Sequence, residues 1–412
     1  GPEEPLPVEW PIAGTTGYDF LNSVSGVFVD PAGLDELLRI YRRFTAEPTD
    51  FQSVAYQCKL LILRAAMSSE LHLLAHRLNR ISERHRLYRD YTLNSLQRVL
   101  REVLASFPVY RTYVGGDTVG ARDREVIARA VLRARRRHPA LDAAEYDFVR
   151  DVLLLEQPPR LDDATRRQRE FFVGRFQQVT SPVMAKGVED TAFYRYYPLA
   201  SANEVGGEPA RAAVAVDEFH EGNQSRFATH PTSMTCTSTH DTKRSEDVRA
   251  RICTLSEIPT RWRACASRWA RLNRRFRHEV DGAPAPSRND EYLFYQTLVG
   301  VWPLVPPDAS EHQEIIDRMV GYMAKATHEA KLRTSWLSPN AEYDNAVAHF
   351  VRDVLRNEPA NRFLDALREF HEKTVDWGLY TGLAQTLLKL TAPGVPDVYQ
   401  GQEVWTFHLV DP

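Results

Sequence analysis

Hydrophobic positions change rhythm several times along the chain. From about Leu34 to Gln178, apolar residues recur at helical spacing, as in Leu60, Leu61, Leu63, Ala66 and Met67, then Leu71, Leu74 and Leu78. Residues three and four apart share one face of a helix, so this spacing predicts a block of amphipathic helices. Turn signals separate the runs: Thr49-Asp50, "FPVYRTYVGGD" and "QPPRLDD". A second helical stretch is predicted from Ile258 to about Leu390, with Trp262, Trp269 and Trp336 expected to fill helix–helix contacts. The opening, to about Gly33, is rich in Pro and Gly and reads as loop with one short extended stretch.

Strand signals are few. "SPVMAKG" and "SMTCTST", between Ser181 and Arg251, are short β-capable runs that each pass into a polar loop and then a helix. This is a strand–loop–helix unit written twice, as in folds with parallel strands. "APGVPDVYQGQE", from Ala392 to Glu403, reads as a third such unit. Helical inserts of this size between strands suit a (β/α)8 barrel better than a doubly wound sheet, because the barrel's strand-end loops are its variable face. The expected class is therefore α/β, the C-terminal part of a (β/α)8 TIM barrel with large all-helical insertions. Its expected divisions are a barrel loop segment (1–33), a helical insertion (34–178), barrel strands six and seven with their loops (179–257), a helical insertion with a barrel helix (258–390), and the eighth-strand region (391–412).

Composition narrows the function classes. The 412 residues carry Lys+Arg 52 against Asp+Glu 55, a formal net charge of -3, so no nucleic-acid partner is expected. The basic run from Arg133 to His138 is expected to coat a solvated helix face. Four cysteines (Cys58, Cys236, Cys253, Cys265) lack CxxC spacing, which fits buried thiols in a reducing, cytoplasmic compartment and neither a zinc site nor a disulfide framework. No apolar run approaches the roughly 20 residues of a membrane span, so no membrane partner is expected. The chain opens on Gly and stops at Asp411-Pro412, and both ends read as cut.

Three clusters carry candidate chemistry. "TSTHDTKRSEDVRARI" places His240 and Asp241 just beyond a predicted strand, with Ser245 expected to cap the next helix and Glu246 and Asp247 in its first turn. By spacing alone the plainer reading makes Asp241 a turn residue and His240 a satisfied histidine near the core. A metal site is disfavoured, since no second ligand stands at the right spacing. "VMAKGVEDTAFYRY" interleaves Lys186, Glu189, Asp190 and Arg195 with Phe193, Tyr194 and Tyr196, a mixture suited to sugar hydroxyls and sugar faces but also to a packed loop. "GVPDVYQGQE" offers Tyr399, Gln400 and Gln402 beyond a strand.

Taken together these stretches resemble the alpha-amylase family of glycoside hydrolases. "STHDTKRSEDVRAR" is similar to that family's His-Asp region at the seventh strand, and "GVPDVYQGQE" to its "GxPxxYxGxE" signature at the eighth. "AGTTGYDF", "FPVYRTY", "VMAKGVEDTAFYRYYPL", "NEVGG" and "EAKLRTSWLSPNAEYD" resemble one transglycosylating member. The resemblance implies an intramolecular transfer on a maltooligosaccharide, converting its reducing-end α-1,4 linkage to α,α-1,1 through a retaining double displacement. It implies that Asp241 holds sugar hydroxyls and stabilises the transition state, that His240 bonds the same sugar, and that Lys186, Glu189, Arg244 and Tyr399 contact substrate. No cofactor or metal is implied. The family's nucleophile and general acid lie after its fourth and fifth strands, and no matching "DxxR" motif precedes Trp10. The expected partner is thus the missing N-terminal part of the same enzyme, without which the chain is expected to be inactive. Two alternatives stand beside this reading: an α-1,4-glucan hydrolase of the same superfamily, and a non-catalytic helical carbohydrate-binding or interaction protein.

Overall fold

The computed structural model describes residues 4, 6–7, 10–47, 50–115, 119–156 and 162–409. The turn signals at Thr49 and across 157–161, part of the one at 107–117, and residues 410–412 lie outside the described residues. The chain is mostly helical with few strands, and it forms two compact units. Unit 1 comprises Gly1–Phe51 and Phe193–Pro412, and unit 2 is Gln52–Ala192. These boundaries differ from the expected insertion at 34–178: the helix Pro31–Thr45 falls in unit 1.

In chain order the helices of the first segment are α1 (Tyr18–Val27) and α2 (Pro31–Thr45), followed by α3 (Phe51–Ala65), α4 (Ser68–Glu83), α5 (Leu93–Ser106), α6 (Ala121–Arg137), α7 (Ala143–Leu153) and α8 (Asp163–Met184). Unit 2 is built as the apolar spacing predicts. Leu71, Leu74 and Leu78 of α4 join Val99, Leu100 and Val103 of α5, Ile127 and Ala130 of α6, and Phe172 and Phe176 of α8 in one buried cluster. Each buried leucine or phenylalanine contributes about 1.5–3 kcal/mol over leaving it in water. Thr92 caps α5 by accepting from Ser95 N at 3.2 Å, and Asp162 caps α8 by accepting from Thr165 N at 2.7 Å. Within the basic run Arg133, Arg135, Arg136 and Arg137 are exposed, the solvated face expected, while Ala134 is buried and the half-buried His138 turns back to Tyr56 at 2.8 Å and Glu102 at 3.0 Å.

"SPVMAKG" is not a strand. It is the end of α8, which continues as a π-helical turn from Ala185 to Glu189, closed by Asp190 N donating to Ala185 O at 3.0 Å. Phe172, Phe176, Thr180 and Val183 carry one buried helical face through the segment, so the short apolar run belongs to a longer period. Pro182 lies inside this helix and removes one backbone donor just before the wider turn.

Unit 1 resumes with α9 (Val216–Thr229), β1 (Met234–Thr235), α10 (Glu246–Cys253), α11 (Pro259–Asn273), β2 (His278–Val280), β3 (Ala283–Ala285), α12 (Arg288–Val301), α13 (Ala309–Ala330), α14 (Ala341–Leu355), α15 (Arg362–Glu372), α16 (Val375–Thr391) and β4 (Val395–Pro396). β1 and β4 pair in parallel, Met234 against Val395 and Thr235 against Pro396, so the runs expected as strands seven and eight are neighbours. On the other side of β1 lies the "AGTTG" stretch, with Met234 N donating to Thr15 O at 3.1 Å. That segment flanks β1 on the edge away from β4. Its glycines explain the approach: a Cβ on Gly14 (φ +147) would meet Ser233 Cα at 2.6 Å, and one on Gly17 (φ +94) would meet Cys236 N at 2.9 Å.

β2 and β3 form an antiparallel hairpin inside the stretch expected to be helical, turning at Asp281 and Gly282, which both have positive φ. "DG" is the sequence signal for such a turn. Trp262 and Trp269 pack edge to face in the core of unit 1, as expected, but Trp336 does not fill a helix contact and is 58% exposed.

Candidate functional site

β1 feeds a turn in which almost everything is inside except the two residues of interest. Cys236, Thr237, Ser238, Thr242, Arg244 and Ser245 are buried and Thr239 and Lys243 half-buried, while His240 and Asp241 are exposed. Threonines close the turn. Asp241 N donates to Thr239 Oγ1 at 3.1 Å, and Thr242 Oγ1 donates to Thr239 O at 2.9 Å. The Tyr18 hydroxyl lies 2.9 Å from Thr239 Oγ1. Burial raises the Tyr18 phenol above its ordinary pKa, its bond to Thr239 opposes that, and the nearby Asp241 carboxylate adds to the rise. His240 is therefore a projecting side chain and not a near-core histidine.

A buried ion pair fixes the turn from beneath. Glu204 accepts the backbone N–H groups of Lys243 at 2.7 Å and Val205 at 3.0 Å. Arg249 lies 3.3 Å from Glu204, with side-chain exposures of 0% and 1%. Arg249 also donates to Arg244 O at 2.6 Å and to Thr237 O, so one guanidinium grips the chain on both sides of His240-Asp241. Charges this deep persist only when paired and hydrogen-bonded, and both of these are, although Arg249 Nε finds no acceptor. Arg244, expected against substrate, turns inward: it is 2% exposed and donates to Ala200 O at 3.0 Å and Tyr322 OH at 2.8 Å. A short run of alternating polar residues carries no sign of which charges turn inward, so sequence could not separate Arg244 from Lys243.

The segment after β4 is strapped to α10. Ser245 caps α10 as expected, accepting from Val248 N at 3.4 Å, and its hydroxyl donates to Thr406 O at 2.8 Å. Asp247 Oδ2 accepts from Thr406 N at 2.8 Å. Burial pushes the Asp247 carboxyl up to about 6, opposed by that backbone bond. Tyr399 is half-buried and Gln400 exposed on this segment. Because β1 and β4 run parallel, Tyr399 and His240-Asp241 follow the C-terminal ends of adjacent strands, the edge where barrel and open α/β sites form.

Lys186 and Glu189 belong to unit 2, on the π-helical turn. Lys186 is exposed, and its carbonyl accepts from Thr191 Oγ1 at 2.8 Å. Glu189 is buried and accepts from the Tyr110 hydroxyl. The rings of Phe193, Tyr194 and Tyr196, which the sequence left open between sugar faces and packing, are buried in unit 1 with the adjacent Tyr197 and serve as its core. Sequence reasoning missed Tyr18, Glu204 and Arg249, which hold the turn. "NEVGG" was the available signal for Glu204, an isolated carboxylate beside glycines. Among the described residues no cluster of three or more His, Cys, Asp or Glu side chains is placed to hold a metal ion, and no helix is long and apolar enough to cross a membrane.

No family model matches the chain. A putative maltooligosyl trehalose synthase of Mycobacterium tuberculosis (strain H37Rv) is 32% identical over 410 residues, covering 100% of this chain and 48% of that protein. The structure of maltooligosyltrehalose synthase from Arthrobacter ramosus superposes with a TM-score of 0.81 at 35% identity, covering 99% of this chain and 47% of that one. The chain is homologous to the maltooligosyl trehalose synthases. A hypothetical maltooligosyl trehalose synthase of Sulfolobus tokodaii agrees, with a TM-score of 0.75 at 30% identity over 99% of this chain and 48% of its own. The chain thus spans about half the length of the maltooligosyl trehalose synthases it matches, and its largely helical architecture is theirs.

Proposed function

We propose that the chain supplies part of the active site of a maltooligosyl trehalose synthase, which moves the reducing-end glucose of a maltooligosaccharide from an α-1,4 to an α,α-1,1 linkage. In this reading the "AGTTG" stretch, β1 and β4 are the sixth, seventh and eighth strands of a (β/α)8 barrel. The observation that carries it is the exposed His240-Asp241 pair on a turn whose flanking residues are buried or half-buried, beyond the end of a strand paired in parallel with its neighbour.

The chemistry needs a carboxylate nucleophile to attack the anomeric carbon while a second carboxyl group protonates the departing oxygen, the two standing about 5–5.5 Å apart in retaining enzymes. Those groups come from the remainder of the protein. Asp241 and His240 hold hydroxyls of the sugar under attack, and the Asp241 charge stabilises the developing oxocarbenium ion. The released glucose turns and re-attacks through its anomeric hydroxyl. Tyr399 and the exposed Lys186 contact the sugars; Glu189, buried against Tyr110, is a positioning residue for its own turn, and Arg244 is one that anchors the His240-Asp241 turn through Ala200 and Tyr322. Helical insertions that exclude water favour re-bonding over hydrolysis.

Product analysis tests the reading. The protein encoded by the complete gene should convert maltopentaose to a trehalose-ended isomer, and this 412-residue chain alone should not. Glucose or maltose without a trehalose end would point to a hydrolase, and no turnover by the complete protein to a non-catalytic binding protein.

A further inference from the structure

Trp336 is held in a way that burial does not explain. Its indole stacks on the His328 imidazole with ring centroids 4.5 Å apart and planes 18° apart, and Nε1 donates to Glu329 Oε1 at 3.0 Å. The residue is nonetheless 58% exposed, so the face away from His328 is open to solvent. His328 is itself fixed, its Nδ1 2.7 Å from Ala324 O and its Nε2 3.3 Å from Asp344. Thr334 bonds the same carboxylate at 3.2 Å, closing the loop that carries Trp336. The loop also starts from a demanding conformation: α13 ends at Lys331, which has φ 53, a left-handed position usually given to glycine. Arg195 secures that corner by donating to Ala330 O at 2.5 Å and Lys331 O at 3.3 Å.

A large exposed ring normally keeps its freedom, and fixing one without burying it gains little for the fold. A pinned indole with one open face has already lost the freedom a ligand would otherwise have to remove. The Glu329 carboxylate beside it, held by Trp336 Nε1 on one oxygen and by Lys331 Nζ at 3.1 Å on the other, forms a charged edge, and Leu337, 91% exposed, extends the apolar surface. An apolar plate edged by a carboxylate fits a pyranose ring, which has apolar C–H faces and hydroxyl edges. The plate is built from the same helix that holds the Asp241 turn, since Tyr322 of α13 accepts from Arg244.

We propose that Trp336, with Glu329, is a binding platform for a glucose unit of the maltooligosaccharide chain, separate from the His240-Asp241 turn. The proposal rests on the maltooligosaccharide reading above and names a further contact for that substrate. The experiment is calorimetric titration of the 412-residue chain with maltoheptaose, alongside Trp336→Ala, with thermal melting as the check on folding. Stacking of this kind is lost with the ring, so Trp336→Ala should weaken binding roughly five- to tenfold with an unchanged melting temperature. A second readout is independent of any folding defect in that variant. In the 5-fluorotryptophan-labelled chain, the 19F resonance assigned to Trp336 by its absence in Trp336→Phe should shift as maltoheptaose is added. Equal affinity of Trp336→Ala, an unmoved Trp336 resonance, or no binding by the unsubstituted chain would each overturn the proposal. The trehalose-forming reading is judged separately, by the product of the complete protein.

Discussion

Glu204 and Arg249 meet at 3.3 Å almost wholly out of water, and each also holds the backbone of the turn that presents Asp241. The pair links the interior of unit 1 to the geometry of its candidate site. Replacing Arg249 with Met leaves the Glu204 charge buried without its partner, which costs about 3–5 kcal/mol. Chemical denaturation of Arg249→Met should show a loss of this size, and adding Glu204→Gln should restore part of it. A loss under about 1 kcal/mol would mean that the pair does not brace the turn.

Asp247 makes stability depend on pH in a direction opposite to most carboxylates. Its folded-state pKa is raised from 3.8 to about 6, so the folded chain binds this proton more tightly than the unfolded chain. The group's contribution is most favourable below about pH 4 and is lost as pH rises to about 6, by up to roughly 3 kcal/mol. Asp247→Asn keeps an acceptor for Thr406 N and removes the titration. Its stability relative to the unsubstituted chain should therefore be higher at pH 7 than at pH 4, measured by denaturant midpoints. An equal difference at both values would contradict the assignment.

α16 is apolar on the face that unit 1 does not use. Gly378, Thr381, Gly382, Gln385 and Lys389 are buried, whereas Tyr380, Leu383, Leu387 and Leu390 are more than half exposed. The close fit explains the small residues: a Cβ on Gly378 would meet Arg251 Cα at 2.9 Å. A continuous apolar stripe of this kind should bind a hydrophobic dye. Leu383→Gln with Leu387→Gln should reduce dye fluorescence severalfold while changing stability by less than about 0.5 kcal/mol per substitution. Unchanged dye binding would show that the dye reports some other surface.

Lys186 is proposed to contact the sugar that turns between cleavage and re-bonding. In the complete protein, Lys186→Ala should raise free glucose relative to the trehalose-ended product, read by chromatography of the products. An unchanged ratio at lower turnover would reduce Lys186 to a general binding contact.

Much of the helical scaffold was legible because leucine and phenylalanine spacing over several turns leaves one interpretation, as in α4 and α5. The strands were harder. β1 and β4 are two residues each, too short for any period, and their signal is a short β-capable run passing into a polar loop. "SPVMAKG" misled because four apolar-rich residues fit a strand or the end of a helix equally well, and the deciding Phe172 and Phe176 lie further upstream. Residue type alone assigns Trp336 to a helix–helix contact, yet an aromatic ring can be fixed by stacking and one hydrogen bond while remaining exposed. At the site, the pair is legible through its resemblance, whereas spacing alone favours a near-core His240, and neither its exposure nor its support can be read from the sequence. Glu204 stands 37 residues before Asp241 in the numbering (241 − 204), and only the folded chain brings its carboxylate under the turn.

Asp241 is proposed to act as a charge that holds the sugar and lowers the barrier without attacking it. The most direct measurement is the turnover of the complete protein carrying Asp241→Asn on maltopentaose, with its melting temperature recorded beside it. The side chain is exposed and its turn is held by backbone and threonine contacts, so folding should be unchanged. Loss of the charge should depress kcat by about 100-fold or more, with a smaller effect from His240→Ala that falls more on KM. Near-normal turnover by Asp241→Asn would contradict the central claim.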